Sequence, residues 1–349
     1  VYGSVNLGIY GGEVTNSVYG GGRGGFTNNT NSGTFVRDNV NIVIGDDDSK
    51  YTPIINGSVY GGSAYGTVNG ASASNNKSSS TTKVTVNKGI INNVFGGGQG
   101  DETFTPYVNG DVLVTVNGGI ISSVYGRNDK SGTIDGKMEV VINGGEITNA
   151  FGGGNETDAL ETNVYLNGGS VDFIFGGSNL NGVVDVSNVT TTGGKSNNVY
   201  GGNNAGGTTG ITNVTINGGE VDTVYGGGDR TSVTNKTVVN LNASCNNLFG
   251  GSNKSGDVPN SYVTINDGTA VNVYGGNNAG GLTSRTQVDL YGGNIDAIYG
   301  GGLKAFSTVT NVNLYYGNVI SVYGGGNEAG ATTTNVDMGN VTAGNVFGG

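Results

Sequence analysis

The chain has 349 residues, 71 of them glycine and only 3 proline, with 12% charged residues and a formal net charge of −11. Glycine without proline or a strict triplet period excludes collagen and a proline-rich linker, and a charged fraction well below the ~25% of ordinary domains excludes a charge-driven disordered chain. The acidic balance argues against nucleic acid or anionic lipid as a partner, because phosphate binding needs clustered Lys and Arg.

In chain order, residues 1–22 form a compact unit ending in Ser17-Val18-Tyr19-Gly20-Gly21-Gly22. Residues 23–58 carry a first insertion, with a strand at Val40–Ile44 and an exposed acidic loop at Asp46, Asp47 and Asp48. Residues 63–83 carry a second, whose low-complexity stretch Ala71–Thr82 reads as a flexible excursion, so Ser63–Thr82 is expected to be removable without unfolding the rest. Residues 99–111 carry a third, with Asp101, Glu102 and Pro106. From about residue 125 onward one unit repeats almost without interruption.

That unit is clearest at Thr212–Gly228, TNVTINGGEVDTVYGGG. Val214 and Ile216 alternate with polar neighbours as in a strand, and Asn217-Gly218-Gly219 supplies a tight turn. Val221 and Val224 restart the apolar pattern, Tyr225 follows, and three glycines close the unit. The aromatic recurs at Phe151, Phe175, Tyr200, Tyr225, Phe249, Tyr274, Tyr299, Tyr323 and Phe347, every 24 or 25 residues. In the first third it falls at Tyr2, Tyr19, Tyr60, Phe95 and Tyr125, spread apart by the insertions.

A fixed period of this size means stacked supersecondary units. The segments between glycine clusters are short and β-branched, with no 3.6-residue periodicity. The expected fold is therefore all-β: a single parallel β-helix of about three short strands per coil and roughly thirteen or fourteen coils. Residues 1–349 read as one solenoid, decorated over 1–130 and regular over 131–349. Both ends fall in mid-repeat, so the chain reads as a slice of a longer one.

Val214, Ile216, Val221 and Val224 are the expected inward positions. The aromatic follows an inward aliphatic directly, and two placements satisfy that: an outward ladder of rings over the glycine-rich turns, or an inward aromatic. Packing against the glycines is favoured. The ladder residues are then Tyr200, Tyr225, Phe249, Tyr274, Tyr299 and Tyr323, and stacked Asn side chains at Asn203, Asn253, Asn277 and Asn327, with Leu303 in the same series, close the turns.

Catalytic motifs are sparse. The absence of histidine removes Ser-His-Asp, Cys-His and His-metal chemistry. Cys245 sits where other units carry an aliphatic and reads as a small buried hydrophobe. The glycine triplets lack the following helix of a phosphate loop, and Gly152–Asp158 and Gly96–Glu102 only faintly resemble calcium-binding nonapeptides. No cofactor is expected; calcium at Asp46, Asp47 and Asp48 is the weak alternative to a solvated loop. Carboxylate pairs would suffice for glycoside hydrolysis, but Asp172, Asp185, Asp222, Asp289, Asp296 and Asp337 scatter over many coils at repeat phase. Tryptophan is absent and arginine numbers five.

The form V-x-I-N-G-G-x-V-x-x-V-Y-G-G-G, standing at Val140–Gly154, Val164–Gly177, Val214–Gly228 and Val288–Gly302, resembles repeats of bacterial cell-surface, adhesin-like parallel β-helix proteins. The resemblance implies secretion, surface display and a structural or adhesive role; the sparse catalytic residues, taken separately, make an enzyme the minority reading. It carries over no binding residue. Expected partners are neighbouring solenoid segments or copies end to end, and surface glycans or proteins, with no membrane span in this segment. Adhesive contacts are expected in the decorated region, at Tyr51, Tyr65, Phe104 and Tyr107. The alternative is a polysaccharide-binding or polysaccharide-degrading β-helix.

Overall fold

A computed structural model describes residues 1–24, 34–46, 48, 50–72 and 77–349. The described residues contain strands and turns and no helix, and the strands stack in parallel as a β-solenoid whose coils lie roughly 25 residues apart. Val1–Val171 and Asp172–Gly349 form two units, each with its own dense internal contacts.

In the first unit each coil contributes to three ladders. Val5–Ile9, Val40–Ile44, Thr81–Val86, Asp111–Val116 and Met138–Ile142 pair in succession along one side. Val18–Tyr19, Ile54–Tyr60, Ile90–Phe95, Ile120–Tyr125 and Glu146–Phe151 pair along the next. The third ladder corrects the expectation for the insertions. Phe35–Val36, Thr67–Val68, Tyr107–Val108 and Thr133–Ile134 are two-residue strands that pair in parallel, with Val36, Val68, Val108 and Ile134 buried. Ser63 and Thr82 are buried as well, and the Thr82 hydroxyl donates to the Asn69 side chain at 2.8 Å. Removing Ser63–Thr82 would therefore delete rungs of the solenoid and not an excursion; only residues 73–76 of that stretch lie outside the described residues.

In the second unit Val183–Tyr200 and Thr208–Tyr225 each run as one long strand through the turn. From Ser232 the coils settle into two strands each: Ser232–Leu241 with Cys245–Phe249, Val258–Ile265 with Thr269–Tyr274, and so on to Ala331–Met338 with Thr342–Phe347. The expected third strand is merged into the start of the longer one. Val214 pairs with Val239, which pairs with Val263, then Val288 and Val312, and all five are fully buried. Each such side chain contributes about 1.5–3 kcal/mol before ordering entropy is subtracted. Val221 and Val224 are buried, as their spacing predicts, and Cys245 takes the register position of Val221.

The aromatic side chains form continuous stacks. Tyr19, Tyr60, Phe95, Tyr125 and Phe151 stack in the first unit at centroid spacings of 4.4–5.0 Å. Phe175, Tyr200, Tyr225, Phe249, Tyr274, Tyr299, Tyr323 and Phe347 stack in the second at 4.6–5.1 Å, with planes within 9° of parallel. Tyr2 stands outside the series, packed edge-on against Phe35. The neighbours of Tyr225 face the core: Val224 is fully buried, and a Cβ on Gly226 would point at the Val239 side chain, 3.0 Å away. Backbone alternation then puts the ring on the opposite side, under the glycine-rich turn.

Two devices hold the glycine turns. Gly226 N–H donates to the Phe249 carbonyl at 2.8 Å, carrying the ladder past the strand end, and a Cβ on Gly226 would lie 2.2 Å from the Gly250 carbonyl. A larger residue there would force the coils apart. From inside, Thr212, Thr237, Ser261, Thr286 and Thr310 donate their hydroxyls to the carbonyls of Gly226, Gly250, Gly275, Gly300 and Gly324 at 2.5–2.6 Å. Ser187 and Thr334 make the same bond to Gly201 and Gly348. In the first unit the column reads Val40, Thr82, Val112, Met138 and the buried Thr162, so the hydroxyl series is continuous only from the end of that unit onward.

The expected asparagine ladder divides in two. Asn253 and Asn278 do stack, with amide bonds to Asp229 and Asn253 of 2.7 and 2.8 Å. Other true ladders lie at the Asn-Gly turns, as in Asn242 to Asn217 and Asn266 to Asn242. Asn203 and Asn277 are different: each is 0% exposed and binds backbone. Asn203 Oδ1 accepts from Ser178 N–H at 2.9 Å, and its Nδ2 donates to the Gly182 and Gly206 carbonyls at 2.9 and 3.0 Å. Asn277 repeats this with Ser252, Gly256 and Gly280. Along the coils the position reads Ser178, Asn203, Gly228, Ser252, Asn277, Gly302, a three-coil cycle used twice.

The two environments predict different costs. Asn203→Leu strands a buried N–H and two carbonyls and should lower stability by about 2–4 kcal/mol in denaturant unfolding, against about 0.5 kcal/mol for Asn242→Ala on the exposed ladder. Val224→Asp, which buries an unpaired carboxylate, should cost at least as much as Asn203→Leu.

Candidate functional site

The sequence-predicted site residues fall into separate places. Asp46 and Asp48 are exposed, and Asp48 N–H bonds the Asp46 carboxylate at 3.1 Å; Asp47 lies outside the described residues. Among the described residues no group of three or more metal-ligating side chains comes together. Tyr51 is 60% exposed, with the Lys50 ammonium 5.1 Å from its ring centre. Tyr65 and Phe104 do meet, at 5.5 Å and 51°. Beside them the Asp101 carboxylate accepts from Thr103 and Phe104 N–H, both at 2.7 Å. Burial, then the Asp101 charge, raises the Tyr65 phenol above its ordinary value. Tyr107 belongs to the short third ladder and accepts a bond from the Thr105 hydroxyl at 3.2 Å.

The ladder tyrosines end in polar contacts two coils further on. Tyr19 donates to Gln99 at 2.8 Å and Tyr60 to Asp129 at 3.1 Å, while Asn253 donates to Tyr200 at 3.2 Å. Asn278 and Asn327 stand in the same relation to Tyr225 and Tyr274. Burial is the main cause holding the Tyr60, Tyr200, Tyr225 and Tyr274 phenols neutral above their ordinary range; nearby Asp129 adds to it at Tyr60 and Asp229 at Tyr200. Tyr225 is pushed up to about 12, chiefly by burial.

A concave site appears in the second unit. A shallow groove of about 530 Å³ opens across successive coils at Lys195–Asn197, Gly219–Asp222 and Ser244–Asn246. The turn that bounds it is irregular: the register between Val183–Tyr200 and Thr208–Tyr225 shifts at Thr192 and again before Lys195. Lys195 and Glu220 form an ion pair at 2.5 Å along the groove. Both are largely exposed, so the pair contributes at most about 1 kcal/mol. Asn197 donates to Asp172 at 3.1 Å and Asn246 to Asp222 at 2.5 Å, so carboxylate and amide alternate from coil to coil. The Asp222 carboxylate also accepts from the Thr223 hydroxyl at 3.2 Å.

Cys245 closes the floor, buried, its thiol pushed up to about 12 by burial and then by the Asp222 charge. Such a thiol is protonated at neutral pH and is no nucleophile. The groove offers amide, hydroxyl and carboxylate groups in an open, repeating row, which suits the hydroxyls of an extended polymer better than an enclosed small molecule. Asp172 and Asp222 are among the carboxylates that recur at repeat phase, whereas Lys195, Asn197, Glu220 and Asn246 belong to no catalytic or binding motif of the sequence. The signal was present: Asp172, Asn197, Asp222 and Asn246 each stand three residues before an aromatic of the ladder.

No protein family matches the chain, nor does any curated protein or solved structure. Among the described residues no helix is long and apolar enough to cross a membrane.

Two measurements check this geometry. Iodoacetamide should leave Cys245 unmodified in the native protein at pH 8 and label it on denaturation; native labelling would contradict the burial. In alkali, phenols raised by folding keep stability whole below the unfolded tyrosine value of about 10 and lose it as pH rises above that. For Tyr225 the loss runs to its folded value of about 12. Spectrophotometric titration should therefore show a late tyrosinate fraction that coincides with unfolding.

Proposed function

We propose that the chain is a structural and adhesive shaft of an extracellular bacterial surface fibre, without enzymatic activity. The observation that supports this best is that its recurrent polar columns are occupied by their own neighbours. Asn117, Asn143 and Asn167 bond Asn87, Asn117 and Asn143 in turn, and Asn197 and Asn246 bond Asp172 and Asp222. Side chains committed to coil-to-coil bonds maintain a scaffold and leave few groups to act as acid, base or nucleophile. The resemblance of the repeats to adhesin-like surface proteins adds the extracellular setting. Recognition, on this reading, falls to groups outside the columns, foremost the Tyr65–Phe104 pair with Asp101.

The second reading, a polysaccharide-active β-helix, draws on the groove from Lys195 to Asn246. A glycan array combined with an assay for released reducing ends separates the two. The expected result is binding without turnover, lost in Tyr65→Ala/Phe104→Ser and retained in Lys195→Ala/Asn246→Ala. Release of oligosaccharide, abolished by Asp222→Asn, would overturn the shaft in favour of an enzyme.

A further inference from the structure

In the second unit the ladder at the Asn-Gly turns changes character. Asn242 and Asn266 bond Asn217 and Asn242 through their side-chain amides, at 2.7 Å each. The next two coils carry tyrosine instead. Tyr291 N–H bonds the Ile265 carbonyl and Tyr315 N–H that of Leu290, so both follow Asn266 in register. Their rings stack at 4.6 Å and 4° from parallel, and the residues are 45% and 40% exposed. The coil after them carries Gly339, whose N–H bonds the Leu314 carbonyl in the same register. Glycine has no side chain to lay on the Tyr315 ring. One face of an exposed aromatic stack is therefore open, level with the Gly339 coil.

The strand residues beside this face are short of hydrogen-bond donors. Two positions before Tyr291, Tyr315 and Gly339, the outward column reads Asp289, Asn313 and Asp337. Asn313 donates its amide to Asp289 at 2.6 Å, and Gln287 donates to the other Asp289 oxygen at 2.7 Å. An amide has one NH2 group and one oxygen, so Asn313 serves only one of its two carboxylate neighbours and turns its oxygen toward Asp337. In the adjoining column Asn335 donates to Asn311 at 3.0 Å, but the Asp337 carboxylate has no proton to give Asn313 in the same way. Among the described residues neither Asp337 nor Arg285, four residues before Asp289 on the same face, makes an ion pair. Partial burial and then the Asp289 charge raise the Tyr315 phenol, with the Tyr291 phenol and Asp337 adding to it, so both carboxylates lie close to the ring.

We propose that the open face of Tyr315, with Asp337 beside it, binds the guanidinium of an arginine side chain from another protein. A guanidinium is flat, stacks on aromatic faces and carries its donors in its own plane. Laid on Tyr315 as the third member of the stack, it stands level with the Asp337 coil, because stacked rings and successive coils share a spacing of about 4.8 Å. Its N–H groups then reach the Asp337 carboxylate and the Asn313 oxygen, the two acceptors that the column leaves facing each other. An ammonium would bring the charge without the planar fit, and a neutral sugar would bring no charge to Asp337. The site depends neither on where the protein resides nor on the recognition assigned to Tyr65 and Phe104.

Saturation-transfer NMR on the full chain, titrated with N-acetyl-arginine amide, is the test. The arginine probe should bind, with saturation reaching its Cδ protons, and N-acetyl-lysine amide should bind about fivefold more weakly. Tyr315→Leu removes the ring and keeps every charge. Asp337→Asn keeps the shape and supplies the amide that Asn313 lacks, so thermal unfolding should not fall. Each variant should weaken binding of the arginine probe about fivefold or more. An arginine probe that does not bind overturns the proposal. So do equal binding of the two probes and arginine binding unchanged in Tyr315→Leu, since either marks only the general attraction of an acidic chain for cations.

Discussion

The close approach of successive backbones at the glycine turns is the constraint on which the rest depends. Parallel strands bond at a fixed spacing, and here the bonding does not stop where the strand stops: Gly226, Gly250 and Gly275 N–H groups each reach the carbonyl of the next coil's aromatic. With the carbonyl of Gly250 only 2.2 Å from where a Gly226 Cβ would stand, no other residue fits without separating the coils. That spacing in turn brings the rings to within 5.1 Å of one another in the second unit, close enough to stack face to face. Glycine at the turn and aromatic beside it are thus one device: the missing Cβ sets the separation at which the rings cover each other.

The same constraint explains the buried polar groups. A turn built from glycine brings carbonyls inside without side chains to shield them, and unsatisfied carbonyls are costly. In the second unit a hydroxyl from the facing strand answers each one, and Asn203 and Asn277 brace the turns where three coils meet in a Ser–Asn–Gly cycle. The cycle fits sterically because the residue after the amide in the series is glycine. A Cβ at Gly228 would lie 2.3 Å from the Asn203 carbonyl, and one at Gly302 would lie 2.4 Å from that of Asn277.

What the sequence made legible follows from how many residues carried each signal. The solenoid, the period and the inward faces of Val214, Ile216, Val221 and Val224 are readable because they recur in most coils, with Thr191 and Ser196 among the exceptions. The third ladder is not, since Phe35–Val36 or Tyr107–Val108 offers only two residues between loop-like neighbours. Thr212 and Thr237 stand two residues before inward valines, in phase with the buried face, and their constant place, about thirteen residues before the aromatic, marks the hydroxyl series. Asn203 follows a glycine pair directly, whereas Ser252 separates Asn253 from Gly250-Gly251; that one-residue offset from the aromatic sends the first into the turn and the second to the ladder. The groove was half legible: its carboxylates were noted, but the register shift near Thr192 that opens it has no composition of its own.

A solenoid multiplies whatever stands at a given phase, and this bears on where function resides. A polar residue repeated on an outward column finds its copy one coil away, bonds it, and becomes part of the scaffold, as Asn294 and Asn318 do at 2.8 Å. On the proposed adhesive reading, recognition belongs where periodicity fails. In the first unit it fails at the loops that bring Tyr65 to Phe104, and in the second at the turn column that carries Tyr291 and Tyr315 where other coils carry asparagine. A phenol ring cannot continue a ladder of amide bonds, so the open face of Tyr315 stays available to something outside the coil. The departures from the repeat, and not the repeat, distinguish one stretch of such a solenoid from another.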